Sequence, residues 1–171
     1  PNLKIDSLIV QRANILNYDY SNIVAAGTYS NNAFNGKIVS NDPNLNFMFQ
    51  GIFTLSASSK NAKYVFYTNL GYADLKALNI DKRGVSRVAM EMNADYTRIN
   101  KGDILGSFDI NNLVLENDQG VHNIGNISIS SHSNDNVNRI KFSSSFAEGT
   151  YVGSKPIGNL FKDAENLLLK K

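Results

Sequence analysis

The chain has 171 residues, 42% hydrophobic and 19% charged, a globular composition too apolar for a disordered chain and without an apolar run near the ~20 residues of a membrane-spanning helix. Its formal charge is +2, with 8 basic and 5 acidic residues over positions 1–86 and 9 basic and 10 acidic over 87–171, so no basic face points to nucleic acid. Cysteine is absent, which excludes disulfides, thiolate metal sites and thiol nucleophiles together.

The chain opens Pro1-Asn2-Leu3-Lys4, without an initiator Met or a signal-peptide core, and is read as a segment of a longer polypeptide. Asn occurs 25 times and Ser 17 times, which suits an all-β chain rich in hairpins, because both favour turns and compete with helical hydrogen bonds. Residues 3–20 are expected to be extended, with an unclear phase. A strand over Ile23 to Tyr29 follows, and Ser30-Asn31-Asn32 can close a hairpin onto residues 34–40, where Phe34, Gly36 and Ile38 alternate with Asn35 and Lys37. Asn41-Asp42-Pro43-Asn44 supplies the next turn.

The clearest period of two runs from Leu45 to Leu55, where the odd positions read Leu, Phe, Phe, Gly, Phe, Leu. Ala62 to Leu70 is strand-like, and so is Val85 to Thr97, with Val88, Met90, Met92, Ala94 and Tyr96 on one face. Leu45, Phe47, Phe49 and Phe53 are expected to face the same interior as Val88, Met90 and Met92. Strands over Gly106 to Glu116, Val121 to Ser131 and Asn138 to Tyr151 complete the array. Phase changes predict bulges near Asn111-Asn112 and Gly125-Asn126. Short helical turns are expected at Ala73 to Leu78 and Asn100 to Gly106. After Pro156, the apolar spacing of Ile157, Leu160, Phe161, Ala164, Leu167 and Leu168 predicts an amphipathic helix over about 156–169. The whole reads as a single mainly β domain spanning 1–171.

Catalytic chemistry finds no foothold. His122 and His132 lack partners at metal-ligand spacing and read as exposed histidines. Glu91 and Asp95 share a strand face that reads as solvated, and Ser143-Ser144-Ser145 lacks a nucleophile elbow. The glycines form no phosphate-binding fingerprint. Periodicity admits two architectures, a filled β-sandwich or a sheet curled around an open apolar groove, because both need the same inward residues.

Ala26-Gly27-Thr28-Tyr29, Phe34-Asn35-Gly36-Lys37-Ile38 and Asn41 to Phe47 occur in an order that resembles the central repeats of the TamB family (translocation and assembly module subunits) within the AsmA-like group. Gln50-Gly51 with Leu55-Ser56, Ala73-Asp74-Leu75 with Ala77-Leu78-Asn79, Asp103 to Gly106, and Gly149-Thr150-Tyr151 continue it across most of the chain. The resemblance implies a non-enzymatic, cofactor-free periplasmic segment of a protein anchored in the inner membrane. It implies a long curled antiparallel sheet, a β-taco, whose apolar groove carries phospholipid acyl chains and supports outer-membrane biogenesis. Neighbouring repeats of the same chain and an outer-membrane barrel of the TamA/BamA type are the implied partners. A scaffold that assembles secreted or outer-membrane proteins by strand augmentation is the second implied role. The groove lining falls where alternation marks it: Leu45, Phe47, Phe49, Phe53, Val88, Met90, Met92, Phe108, Ile110, Ile127, Ile129, Ile140 and Phe142.

Overall fold

A computed structural model describes residues 2–55, 62–82, 84–100, 103–134 and 137–154. Ten antiparallel strands follow one another in a single uncrossed sheet: β1 (Leu3–Ile15), β2 (Tyr18–Ser30), β3 (Ala33–Asp42), β4 (Leu45–Thr54), β5 (Ala62–Asp74), β6 (Ser86–Asn100), β7 (Asp103–Asn117), β8 (Gly120–Asn134), β9 (Val137–Ser144) and β10 (Glu148–Gly153). Among the described residues each strand bonds only its sequence neighbours, so β1 and β10 are the edges of an open sheet. Among the described residues there is no helix and no second layer.

Turn chemistry sets the hairpins. Leu16-Asn17 and Asn31-Asn32 all have φ between 50° and 60°, the paired left-handed conformation of a two-residue turn that matches strand twist. The first of these turns resolves the unclear phase of residues 3–20 into two strands, and a register shift between Ile5 and Leu8 further blurs the alternation of β1. Both expected phase breaks coincide with register shifts around Leu113, where Asn112 (φ 53°) and Gly125 (φ 82°) hold left-handed backbone.

Three expectations need correction. The single strand over Asn138 to Tyr151 is two strands separated at Ser145-Phe146-Ala147, where Ser144 Oγ donates to the Ala147 carbonyl (2.9 Å) and Ser145 Oγ to the Ile124 carbonyl (2.9 Å). Asn100 to Gly106 is not a helical turn: β6 runs to Asn100 and β7 restarts at Asp103, because strand pairing overrides a weak local preference. At Ala73 to Leu78, β5 continues through Asp74, and a hydrogen-bonded turn follows in which Leu78 N–H donates to the Asp74 carbonyl (3.0 Å) and Ile80 N–H to that of Leu75 (2.9 Å). The helix expected at 156–169 lies outside the described residues.

The register places Gly27, Gly36 and Gly51 directly opposite one another on β2, β3 and β4. Gly51 has φ +146°, and a Cβ there would run into the Val65 carbonyl and the Phe66 backbone. A Cβ on Gly36 would meet the Ala26 carbonyl and the Phe34 ring, which lies over it. Close backbone approach is therefore built into this column, with aromatic rings covering it.

One end of the sheet is tied by carboxylates. Asp42, 4% exposed at the end of β3, accepts from the Tyr18 hydroxyl, the Ser21 amide (2.8 Å), the Ser21 hydroxyl (3.0 Å) and the Asn44 amide (2.9 Å). Burial pushes its pKa up, but these donors outweigh burial and leave it below the ordinary value of 3.8. Asp74 caps the turn after β5 by accepting from the Ala77 amide (2.9 Å), and Arg87 bridges it (3.0 Å) to Glu116 (3.0 Å) across β5, β6 and β7. The Ala77 amide leads in holding its pKa down, with Arg87 adding to it.

Two predictions follow from this geometry. Gly51→Ala should destabilise the protein by about 2 kcal/mol or more in denaturant titrations, whereas Gly149→Ala, with nothing within 4 Å of its added carbon, should be nearly neutral. A carboxylate with a depressed native pKa stabilises the fold above its unfolded pKa, and that contribution is lost as pH falls through the native value. Asp42→Asn should therefore cost about 2 kcal/mol at neutral pH, and the gap to the parent should close as unfolding is followed below about pH 4.

Candidate functional site, an apolar trough

Residues directly opposite in an antiparallel sheet share a face, so the register can be read as rows across the strands. One row runs Leu3, Tyr29, Phe34, Phe53, Tyr64, Tyr96, Gly106, Ser131, Ile140, Tyr151. The next row on the same face contains the glycine column and continues through Phe66, Ala94, Phe108, Ile129 and Phe142. A third joins Ile38, Phe49, Thr68, Met92, Ile110 and Ile127. The fourth has Ile23, Ser40, Phe47, Leu70 and Met90, and the fifth has Asp42, Leu45, Ala73, Val88, Leu115 and His122.

The opposite face is mainly polar. One of its rows reads Thr28, Asn35, Ile52, Val65, Asp95, Ser107, Ser130, Lys141, and its neighbour reads Ala26, Lys37, Gln50, Tyr67, Asn93, Asp109, Ser128, Ser143. Glu91 and Asp95 fall on this face, and both histidines are exposed.

All thirteen residues expected to line an interior therefore lie on one face of the sheet. They do not share one environment. Phe47, Phe49, Phe53 and Met92 line a cavity of about 630 Å³ together with Leu3, Ile5, Tyr29, Phe34, Ile38, Leu55, Phe66 and Thr68. The Thr68 hydroxyl is the one side-chain polar group of that lining besides the Tyr29 phenol, so the wall is almost wholly carbon. Ring contacts tie it together: Phe34 to Phe49 (6.4 Å), Phe49 to Phe66 (5.2 Å), Phe66 to Phe53 (6.2 Å), Phe53 to Tyr64 (5.0 Å) and Tyr64 to Tyr96 (4.8 Å).

Leu45 and Val88 lie lower on the same face, packed against a buried cluster of Tyr20, Ala73 and Leu78. Leu78, 1% exposed, comes from the turn after β5, which folds back over the apolar face. Asn79 Nδ2 donates to the Asn17 carbonyl (3.2 Å), tying this turn to the β1–β2 hairpin. Met90 shares the row of Phe47 but lies outside the cavity lining; Phe108, Ile110, Ile127, Ile129, Ile140 and Phe142 continue the apolar face across β7, β8 and β9.

Leu3, Ile5, Tyr29, Phe34, Ile38, Leu55, Phe66 and Thr68 were not anticipated as lining residues. The even positions of β5 carried a usable signal in Tyr64, Phe66, Thr68 and Leu70, whereas the bulge in β1 hides Leu3 and Ile5. Among the described residues, no group of three or more His, Asp or Glu side chains could hold a metal ion. The arrangement suits an apolar ligand, which leaves water for a carbon wall at roughly 0.8 kcal/mol per buried CH₂. No family model, curated protein or solved structure matches this chain.

Proposed function

We propose that the chain is a non-enzymatic periplasmic segment of a TamB-like protein of the AsmA-like group, holding phospholipid acyl chains in an apolar groove between inner and outer membrane. The observation that carries this reading is the carbon-lined cavity on a face that carries large apolar side chains on every strand from β1 to β9. In this reading the sheet is one stretch of a longer curled β-taco, continued by neighbouring repeats of the same chain. Headgroups stay at the open edge in water, so no charged pocket is required. An outer-membrane barrel of the TamA/BamA type is the partner that receives what the groove delivers.

The free edges favour a second reading. β1 is a 13-residue edge strand with Leu8, Ile9 and Ile15 exposed, which suits a scaffold that offers its edge to client strands during outer-membrane or secreted protein assembly. Bound phospholipid in native mass spectrometry after mild extraction favours the groove; client-strand binding without lipid favours the scaffold.

The decisive test introduces a charge on the wall. Phe49→Asp and Met92→Asp should abolish photo-crosslinking to lipid while the thermal melt survives, because a carboxylate in an open trough stays partly hydrated yet repels acyl chains. Lys37→Asp, on the polar face, should leave both readouts unchanged. Outright unfolding by both wall variants, or unchanged crosslinking in a folded one, refutes the lipid reading.

A further inference from the structure

Where β1 begins and β4 finishes, the rim of the trough is apolar and open to water. Leu3, Phe53 and Leu55 line the cavity and are 56%, 37% and 60% exposed. The Leu55 amide donates to the Asn32 carbonyl (2.7 Å), which holds Leu55 beside the β2–β3 turn, and the Tyr29 hydroxyl donates to Asn32 Oδ1 (3.3 Å) at the same turn. Tyr29 thus keeps its ring against the carbon wall and its phenol at the rim, as aromatic residues do at an apolar–aqueous boundary. Phe53 lies on an interior strand and Leu55 just past its end, so a strand added beyond β1 leaves both uncovered.

Charge is unevenly distributed along the strands. Lys63 is exposed beside this lip, held there because the Thr54 hydroxyl donates to its carbonyl (3.0 Å) and accepts from its amide (2.9 Å). Lys4 follows Leu3, and its ion pair with Asp6 (2.7 Å) is exposed and screened by water. Asp19, Asp42, Asp74, Glu116 and Asp118 all stand at the opposite strand ends, and Glu91, Asp95 and Asp109 lie on the polar face of β6 and β7.

We propose that the lip docks on an anionic lipid bilayer, with Phe53 and Leu55 entering the headgroup–acyl boundary and Lys4 and Lys63 meeting the anionic headgroups. A few apolar side chains or two lysines alone hold a protein weakly at a bilayer; together they give reversible docking. A second copy of the chain fits this edge less well, because apposed lips bring their lysines together. Docking goes beyond acyl binding and does not require the trough to be filled.

Flotation of the chain with vesicles of phosphatidylcholine, alone or mixed equally with phosphatidylglycerol, tests the proposal. The chain should float with the mixed vesicles and several-fold less with phosphatidylcholine alone. Lys63→Glu should weaken flotation on the mixed vesicles by about fivefold or more, and Leu55→Asp by about tenfold. Phe49→Asp, two rows inward from Phe53, should still float. The sequence has no tryptophan, so Leu55→Trp and Ile80→Trp, the latter 55% exposed at the opposite end, report separately. With Phe49→Asp also present, so that lipid taken into the trough is not what quenches, brominated acyl chains should quench Leu55→Trp and spare Ile80→Trp. Equal flotation on both vesicles, untouched by Lys63→Glu and Leu55→Asp, overturns the docking edge, as does quenching at Ile80→Trp alone. A dimer that Leu55→Asp dissolves, with no flotation, gives the lip to a second copy and overturns it too. Native mass spectrometry separates docking from the acyl reading: phospholipid bound to a chain that does not float overturns docking alone. Flotation without bound phospholipid upholds docking and refutes the acyl reading, and loss of both overturns both.

Discussion

An antiparallel meander in which every strand keeps its apolar set on the same face leaves that face to be covered by something, and this constraint governs the rest of the structure. Strand after strand repeats the arrangement, from Tyr29, Ala25 and Ile23 on β2 to Ile140 and Phe142 on β9. No second sheet or helix covers the face among the described residues. Aromatic rings and one folded-back turn do part of the covering, and the remainder is the trough.

The glycine column and the aromatic rows are two halves of one device. At Gly36 and Gly51 the backbones of adjacent strands and the Phe34 ring occupy the space a side chain would need. The rings flanking the column then reach one another, as the 5.2 Å contact of Phe49 with Phe66 shows. A Val or Ile in the column would push those rings apart and fill the cavity with its own branches, so the absence of side chains at these positions shapes the wall as much as the phenylalanines do.

Polar groups serve the opposite end. Asp42, Asp74 and Arg87 lie where hairpins and the turn after β5 must be held, each with several partners. Their depressed carboxylate pKa values follow from this anchoring, and they are poor candidates for chemistry because their oxygens are already committed to backbone amides and side-chain donors. Fixing this end is what lets Leu78 stay buried over the apolar face, opposite a rim that remains open.

Strand content, most hairpins, both bulge regions and the shared facing of Leu45, Phe47, Phe49 and Phe53 with Val88, Met90 and Met92 are legible in the sequence, because alternation with a period of two is a local property of each segment. Local pattern fails where the backbone departs from that period: the Leu16-Asn17 turn and the β1 bulge hide Leu3 and Ile5, and the Ser145–Ala147 turn splits one expected strand into two. Whether an apolar face is filled or open is not a local property at all. It depends on which element comes to rest upon it, and only the assembled sheet shows Leu78 packed with Tyr20 and Ala73 on one part of the face while Leu3, Phe53 and Leu55 stay exposed on another. Phe49 and Val88 have the same alternation and the same facing; one lines the trough and the other packs against the cluster around Leu78, because long-range packing, not side-chain period, assigns them different neighbours.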